Sequence, residues 1–167
     1  MKLYMEDCMD IVTKQLKLEE LSDLKYEVHM GDSQAVNYCS IMILKFMGEY
    51  GFGSSGNSDA IYMCAIGEAA VEAWGPDGLI LDFSELVYEW GDLIERVFDI
   101  GKAKSGRIPF PEALVVGKQS EEAIRTLILG EYSDEPIDDI DWVHRDLNSA
   151  WAFIEEKLME YDRDKKL

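Results

Sequence analysis

One segment of the chain, Gly78–Ile100, reads GLILDFSELVYEWGDLIERVFDI. Near its start is a short apolar run between glycine and polar residues, made of Leu79, Ile80, Leu81 and Phe83. Such a run is typical of a strand that is covered on both faces of a sheet. The segment therefore predicts a buried strand, of the kind found in parallel α/β folds.

The second half of the segment has a helical period. Apolar residues recur at positions i, i+3, i+4, i+7 and i+8, which are Trp90, Leu93, Ile94, Val97 and Phe98. Charged residues occupy the opposite face, and Gly101 follows as a helix-ending residue. This pattern predicts an amphipathic helix that packs on the sheet, so that strand and helix form half of a parallel α/β unit.

The chain is strongly acidic. Its 167 residues include 34 acidic and 16 basic side chains, which gives a formal net charge of -18. A field of this sign repels nucleic acid and anionic membrane surfaces, and it speeds the encounter with a basic protein. Acidity also keeps proteins soluble, so a basic protein partner and a role in solubility are both open at this point.

Length and hydropathy predict one cytoplasmic domain. The chain is 47% hydrophobic, enough for a full core in a domain of ordinary size. It contains no apolar run of about 18 residues, as a membrane span requires. The N-terminal residues MKLYMEDCMD are acidic where a signal peptide would be basic.

The sequence predicts neither a metal nor a cofactor. Its cysteines and histidines are few and far apart: Cys8, Cys39, Cys64, His29 and His144. They lack the spacing of a zinc site, and an odd number of cysteines argues against a disulfide framework. We expect reduced thiols, while a catalytic thiol–histidine pair is the less favoured alternative.

The remaining pattern predicts a single α/β domain with a mixed four- to five-stranded sheet, about four core helices and an N-terminal helical extension. Residues 1–35 are assigned to the extension and first strand, and residues 36–167 to the α/β domain, as one folding unit. The predicted elements are a helix over Asp10–Leu24, two antiparallel strands between Lys25 and Phe46, a glycine-rich loop over Gly48–Ser58, a helix over Asp59–Trp74, a strand over Ala113–Val116, a helix between Ser120 and Gly130, a strand over Trp142–His144 and a last helix capped by Asp146.

Two acidic segments are the candidate protein-binding sites. One follows the organising strand and combines acids with aromatic residues: Glu85, Tyr88, Glu89, Trp90 and Asp92. The other lies in the loop Glu131–Asp141, which has six carboxylates, and includes Glu135, Asp138 and Asp139. Aromatic residues rimmed by polar ones suit an interface centre, although Trp90 also begins the helical stripe and could belong to the core.

Both acidic segments have other interpretations. Asp82, Glu85, Glu89 and Asp92 surround the carboxyl end of a strand, where open α/β sheets keep their sites, so a carboxylate pair acting as acid and base is conceivable. The loop aspartates Asp138, Asp139 and Asp141 lack the ligand spacing and glycine of an EF-hand, which favours solvated charge over a calcium site.

Four segments resemble the STAS domain, the sulphate-transporter and anti-sigma-factor-antagonist family. They are FMGEYG at 46–51, GPDGLILDFSELVY at 75–88, ALVVG at 113–117 and VHRDLNSAWAFI at 143–154. The resemblance covers roughly Ile41 to Leu158. It implies a STAS-like order of strands and helices and a non-catalytic bacterial regulator that acts through protein–protein contact.

The sequence departs from that family at one important turn. The family's antagonists have a phosphorylatable serine after the organising strand, whereas this chain has Tyr88-Glu89-Trp90-Gly91-Asp92. A serine switch is therefore not carried over, and Glu89 and Asp92 are expected as acids in the first turn of a helix, with a permanent negative charge as the alternative. Two other functions remain open, an immunity-type protein that neutralises a basic toxin and a small enzyme that uses carboxylates.

Overall fold

The computed structural model describes residues 11–106 and 109–164, which fold around one mixed sheet. The strands are β1 (Lys25–Asp32), β2 (Ser40–Glu49), β3 (Gly78–Val87), β4 (Glu112–Val116) and β5 (Val143–His144), and they are adjacent in chain order. The α-helices are α1 (Asn57–Trp74), α2 (Glu121–Leu129) and α3 (Leu147–Asp164). The predicted single α/β domain with a five-stranded mixed sheet is confirmed.

Strand β3 lies at the centre of the sheet, as the apolar run predicts. Strand β1 pairs with β2 in antiparallel orientation, and β2, β3, β4 and β5 are parallel. Leu81 lies between Leu44 of β2 and Leu114 of β4, and all three side chains are fully buried. Because both faces of β3 are covered, its apolar residues are continuous rather than alternating.

Each face of the sheet has its own hydrophobic cluster. Helix α1 and Ile124 of α2 pack on the face that includes Leu44 and Leu81. Helix α3 packs on the other face through Ala150, Ile154 and Leu158, against Ile41, Ile80, Ala113 and Val115. The small residues of α1 permit close packing, since a Cβ atom at Gly67 would lie 2.5 Å from Cδ1 of Ile100.

The α-helix predicted after β3 is not formed. Strand β3 continues to Val87, a turn follows, and Ile94–Asp99 forms a six-residue 3₁₀ helix. The prediction places Trp90 in the buried stripe, but in the structure Trp90 is 54% exposed. Two contacts keep this turn from becoming helical: the Tyr88 hydroxyl accepts from the N–H of Gly91 and donates to its carbonyl, and Gly91 pairs with the distant Gly53.

The predicted N-terminal helix is also wrong over the described residues. Residues 11–17 have no regular structure, and one 3₁₀ turn spans Leu18–Glu20. Ile11, Val12 and Leu16 are between 72% and 93% exposed, so no described element covers these apolar residues of the predicted helix. A helical period without a partner surface is insufficient, since most helical stability comes from packing. The first residues of the prediction, up to Asp10, lie outside the described range.

The C-terminal half follows its local signals. Strand β4, helix α2 and strand β5 form where predicted, and α2 ends at Gly130, which has φ +90°. Helix α3 begins after Asp146, whose Oδ1 accepts a hydrogen bond of 2.9 Å from the N–H of Ser149. In residues 11–106 and 109–164, no helix has the length and apolar character that a membrane crossing requires.

Candidate functional site

The carboxyl ends of β2, β3 and β4 lie at one edge of the sheet, because these strands are parallel. Backbone hydrogen bonds connect the segments that follow them. The N–H of Tyr50 donates to the carbonyl of Val87 (2.9 Å), and the N–H of Tyr88 donates to the carbonyl of Gln119 (3.0 Å). Open α/β sheets usually place their sites at this edge, so the connected turns define the candidate site.

Four aromatic side chains form the centre of this edge. Tyr50 and Tyr88 are buried and meet edge to face, with ring centroids 5.4 Å apart. Phe52 and Trp90 are 66% and 54% exposed, and their ring centroids are 5.7 Å apart. We name Phe52 and Trp90 the aromatic ridge. The buried tyrosines belong to the same two turns and anchor them to the core.

Two glycines allow the turns to approach each other. The N–H of Gly53 donates to the carbonyl of Trp90 over 2.9 Å, and Gly53 pairs with Gly91 in an isolated bridge. Gly53 has φ +61°, and a Cβ atom there would lie 2.9 Å from Cζ3 of Trp90. A Cβ atom at Gly91 would lie 2.4 Å from Cε1 of Tyr50. Both positions therefore require glycine for the ridge to form.

Asp59, at the start of α1, anchors the loop that carries Phe52. It is 9% exposed, and both of its carboxylate oxygens accept a hydrogen bond. Oδ1 accepts from the Ser22 hydroxyl at 2.6 Å, and Oδ2 accepts from the N–H of Gly51 at 2.8 Å. The carboxylate thus connects the segment before β1 to the loop after β2.

Two cavities flank the aromatic ridge. A cavity of about 640 Å³ lies on the Trp90 side, between Tyr88, Lys118 and α2. A second cavity of about 420 Å³ lies on the Phe52 side and is lined by Asp23, Glu49, Tyr50, Gly51, Phe52, Val87 and Glu89. Glu89 lines both cavities.

The acids at this edge differ in whether a base neutralises them. Glu85, exposed on β3, is paired with Lys45, and this hydrogen bond raises the pKa of the lysine. By contrast, Asp23, Glu49 and Glu89 have no ion pair or side-chain hydrogen bond with any residue that the structure describes. The cavity on the Phe52 side therefore carries three unneutralised carboxylates.

The acidic loop Glu131–Asp141 is fastened to α2 by arginines. Arg145 donates to both carboxylate oxygens of Asp138, at 2.9 and 3.0 Å, and also binds Glu121. This pairing lowers the pKa of Asp138. Arg125 pairs with Glu122 and donates to the Ser133 carbonyl (2.8 Å). Of the loop's six carboxylates, Asp138 is the one that forms an ion pair with a described residue.

The two predicted groups of site residues do not line a common cavity. Tyr88, Glu89 and Trp90 line the 640 Å³ cavity, and Asp92 is exposed in the same turn. The loop reaches this cavity only through Glu131, whereas Glu135, Asp138 and Asp139 do not line it. The loop also contributes to the core, since Ile137 and Ile140 are 2% and 8% exposed.

The geometry gives little support to a catalytic nucleophile or a metal site. No group of three or more His, Cys, Asp or Glu side chains in residues 11–106 and 109–164 is placed to hold a metal ion. Asp82 is 2% exposed, and its Oδ1 accepts a hydrogen bond from the N–H of Ser84. Cys64 is buried, and burial raises the pKa of its thiol, which disfavours the nucleophilic thiolate. Cys8 lies outside the described residues.

Sequence reasoning missed four residues of this edge. Phe52 was inside a segment predicted only as a loop, and Asp23 inside a predicted helix. Glu49 and Asp59 were assigned to a turn and a helix start without a role. No local signal identifies them, because Phe52 and Trp90 are 38 positions apart and meet only through the parallel pairing of β2 and β3.

Comparisons with known proteins support the fold. No family model matches the chain, and no curated protein sequence matches it. A solved structure, the crystal structure of an anti-sigma factor antagonist from Mycobacterium paratuberculosis, is similar with a TM-score of 0.53 and 15% sequence identity. The match covers 78% of this chain and 93% of the antagonist. The predicted STAS-like fold is confirmed, and at this identity the similarity concerns the fold alone.

Proposed function

We propose that this chain is a non-catalytic regulatory domain that binds another protein through the carboxyl edge of its sheet. The observation that carries the proposal is the exposure of Trp90, 54%, on a rigid turn beside Phe52. Exposed aromatic residues on a fixed backbone are typical of interface centres. The fold shared with an anti-sigma factor antagonist is consistent with a role in protein–protein contact.

The partner that suits this surface is a basic protein, met in the cytoplasm. The chain has a net charge of -18, and the acids Glu85, Glu89 and Asp92 surround Trp90 in the sequence. The loop acids Glu135, Asp138 and Asp139 extend the negative field and would act mainly on the rate of encounter. The same charge suits an immunity-type protein that neutralises a basic toxin, and the identity of the captured partner distinguishes that role from a regulatory one.

The turn after β3 suits permanent rather than switched charge. No helix begins at Glu89 or Asp92, so these acids do not serve to stabilise a helix start. Both side chains are exposed, and between Ser84 and Gly101 the only hydroxyl group is that of the buried Tyr88. We expect binding at this turn to need no phosphorylation.

Affinity capture from the native lysate tests the proposal. The immobilised full chain is compared with Trp90→Ala and with Trp74→Ala, a control that removes another exposed tryptophan, 66% exposed, at the end of α1. We expect one stoichiometric protein to bind the wild type and Trp74→Ala, and to be lost from Trp90→Ala. Absence of any stoichiometric protein would overturn the proposed function.

A further inference from the structure

We infer that the aromatic ridge binds an arginine side chain of the partner, with Asp23, Glu49 and Glu89 as the carboxylates that receive the guanidinium group. This inference rests on the proposed function and specifies the chemistry of its contact. The occupant is a basic segment of another protein that carries at least one arginine. Three independent features of the site support it: the geometry of the rings, the state of the carboxylates and the rigidity of the turns.

The ring geometry leaves aromatic faces available to a cation. Phe52 and Trp90 have ring centroids 5.7 Å apart and planes tilted by 49°, so they form an open angle rather than a closed stack. About two thirds of Phe52 and half of Trp90 are exposed. A guanidinium group is planar and weakly hydrated, and it stacks on aromatic faces better than an ammonium group does.

The carboxylates next to the ridge are among those that form no ion pair with a base of the described chain. Asp23, Glu49 and Glu89 line the same cavity as Phe52, and none of them has an ion pair with a described residue. Elsewhere some acids are ion-paired, as in Asp138 with Arg145 and Glu85 with Lys45, while the loop acids Glu135 and Asp139 are not. An incoming cation in this cavity therefore meets unpaired carboxylates beside the aromatic surface of Phe52, and carboxylate oxygens are the acceptors that suit the fork of donors on arginine.

The site is organised before any partner arrives. Gly53 and Gly91 bring the two turns together, and the buried pair Tyr50 and Tyr88 supports the ridge. Asp59 accepts one hydrogen bond from the Phe52 loop, at Gly51, and one from Ser22. A site that is already rigid loses little conformational entropy on binding. The exposed aromatic rings can therefore contribute to affinity without first having to be ordered.

The first experiment measures arginine recognition directly. A short blocked Gly-Ser peptide with two arginines is titrated into the full-length ¹⁵N-labelled chain, and the Trp90 indole and the amides of Gly53 and Gly91 are followed by NMR. The same peptide with citrulline keeps the shape and removes the charge, and a lysine version keeps the charge and removes the plane. We expect saturable shifts at these three residues with arginine, weaker shifts with lysine and none with citrulline. Equal responses to arginine and citrulline would overturn the inference.

The second experiment separates a local site from overall charge. Two triple variants remove the same number of negative charges: Asp23→Asn/Glu49→Gln/Glu89→Gln at the ridge, and Asp134→Asn/Glu135→Gln/Asp139→Asn in the acidic loop. We expect the ridge variant to weaken binding of the arginine peptide by about tenfold or more, and the loop variant by less than about twofold. Equal weakening would show that only net charge matters and would overturn the inference.

The native partner distinguishes failure of this inference from failure of the proposed function. A captured protein whose affinity falls with the ridge variant and not with the loop variant supports both. A captured protein that is indifferent to the ridge triple variant and to Phe52→Ala overturns the arginine site and leaves protein binding intact. Native capture without any stoichiometric protein, together with arginine-specific shifts at Trp90, overturns the proposed function and retains the site.

Discussion

The buried carboxyl of Glu112 should make the stability of this protein fall as the pH rises through neutrality. Glu112 begins β4, and its Oε1 atom is buried without a hydrogen-bond partner. Burial, assisted by the negative charge of Asp99 and opposed by Lys102, raises the pKa of Glu112 from its usual 4.5 to about 8. The folded state therefore holds a proton on this group that the unfolded state has already released.

The sign and size of the effect follow from this difference. The stabilising contribution is complete below the unfolded pKa of 4.5 and is lost as the pH rises through about 8, because in that range the folded state binds more protons. Each pH unit inside the window is worth about 1.4 kcal/mol. Between about pH 5.5 and 7.5 the contribution of Glu112 to the free energy of unfolding should fall by about 2 to 3 kcal/mol.

The measurement is a series of urea unfolding curves at constant ionic strength, for wild type and Glu112→Gln. Glutamine has nearly the same shape and never ionises, so the difference between the two proteins isolates Glu112. This subtraction is needed because burial lowers the pKa of His144. A lowered histidine pKa makes the free energy of unfolding increase with pH in part of the same range. Glu68→Gln, the same change on the exposed face of α1, controls for the loss of one negative charge.

The expected result is a difference that grows with pH in favour of Glu112→Gln, by about 2 to 3 kcal/mol over the two pH units. A difference that stays constant from about pH 5.5 to 7.5 would refute the reasoning, because it would show that the carboxyl of Glu112 ionises in the folded state without cost.

Four further measurements test the fold, the charged surface and the metal content. Leu81→Ala should lower the free energy of unfolding in urea by about 2 to 5 kcal/mol, since Leu81 is fully buried in the central strand, and a loss under about 1 kcal/mol would contradict that position. Asp59→Asn should lower it by about 1 to 3 kcal/mol because one buried donor loses its acceptor; an unchanged melt would refute the anchoring role. Reversing Glu135 and Asp139 to lysine should slow association with a captured basic partner at low salt and reduce its salt dependence, and stopped-flow rates that do not depend on salt would contradict electrostatic steering. Metal analysis of protein purified without chelator should find no stoichiometric zinc or calcium, and one bound equivalent would overturn that expectation.

Local sequence signals determined most of the sheet and the three α-helices of the described chain. The apolar run at Leu79–Phe83 favours a strand that is buried on both faces, and this run forms the central strand. Helix α3 starts after the capping residue Asp146, and α2 ends at Gly130. These features depend on neighbours within a few residues, where hydrogen bonding and backbone sterics act irrespective of the rest of the chain.

The candidate site depends on contacts between distant parts of the chain. The sequence therefore identifies the site residues that follow β3, but not those from the rest of the chain. The period from Trp90 to Phe98 predicts a helix, but bonds from Tyr88 to Gly91 and the bridge to Gly53 hold the turn open and leave Trp90 exposed. Helical periodicity is a weak preference that such contacts override.

The identity of the unneutralised acids was likewise decided by the tertiary structure. In the sequence, Glu89 and Asp138 are equivalent members of acidic segments. In the fold, Asp138 pairs with Arg145, while Glu89 lines a cavity with Phe52 and forms no ion pair with a described residue. The physical reason is that charge pairing and aromatic contact act over a few ångströms in space, and chain folding alone determines which distant residues come that close.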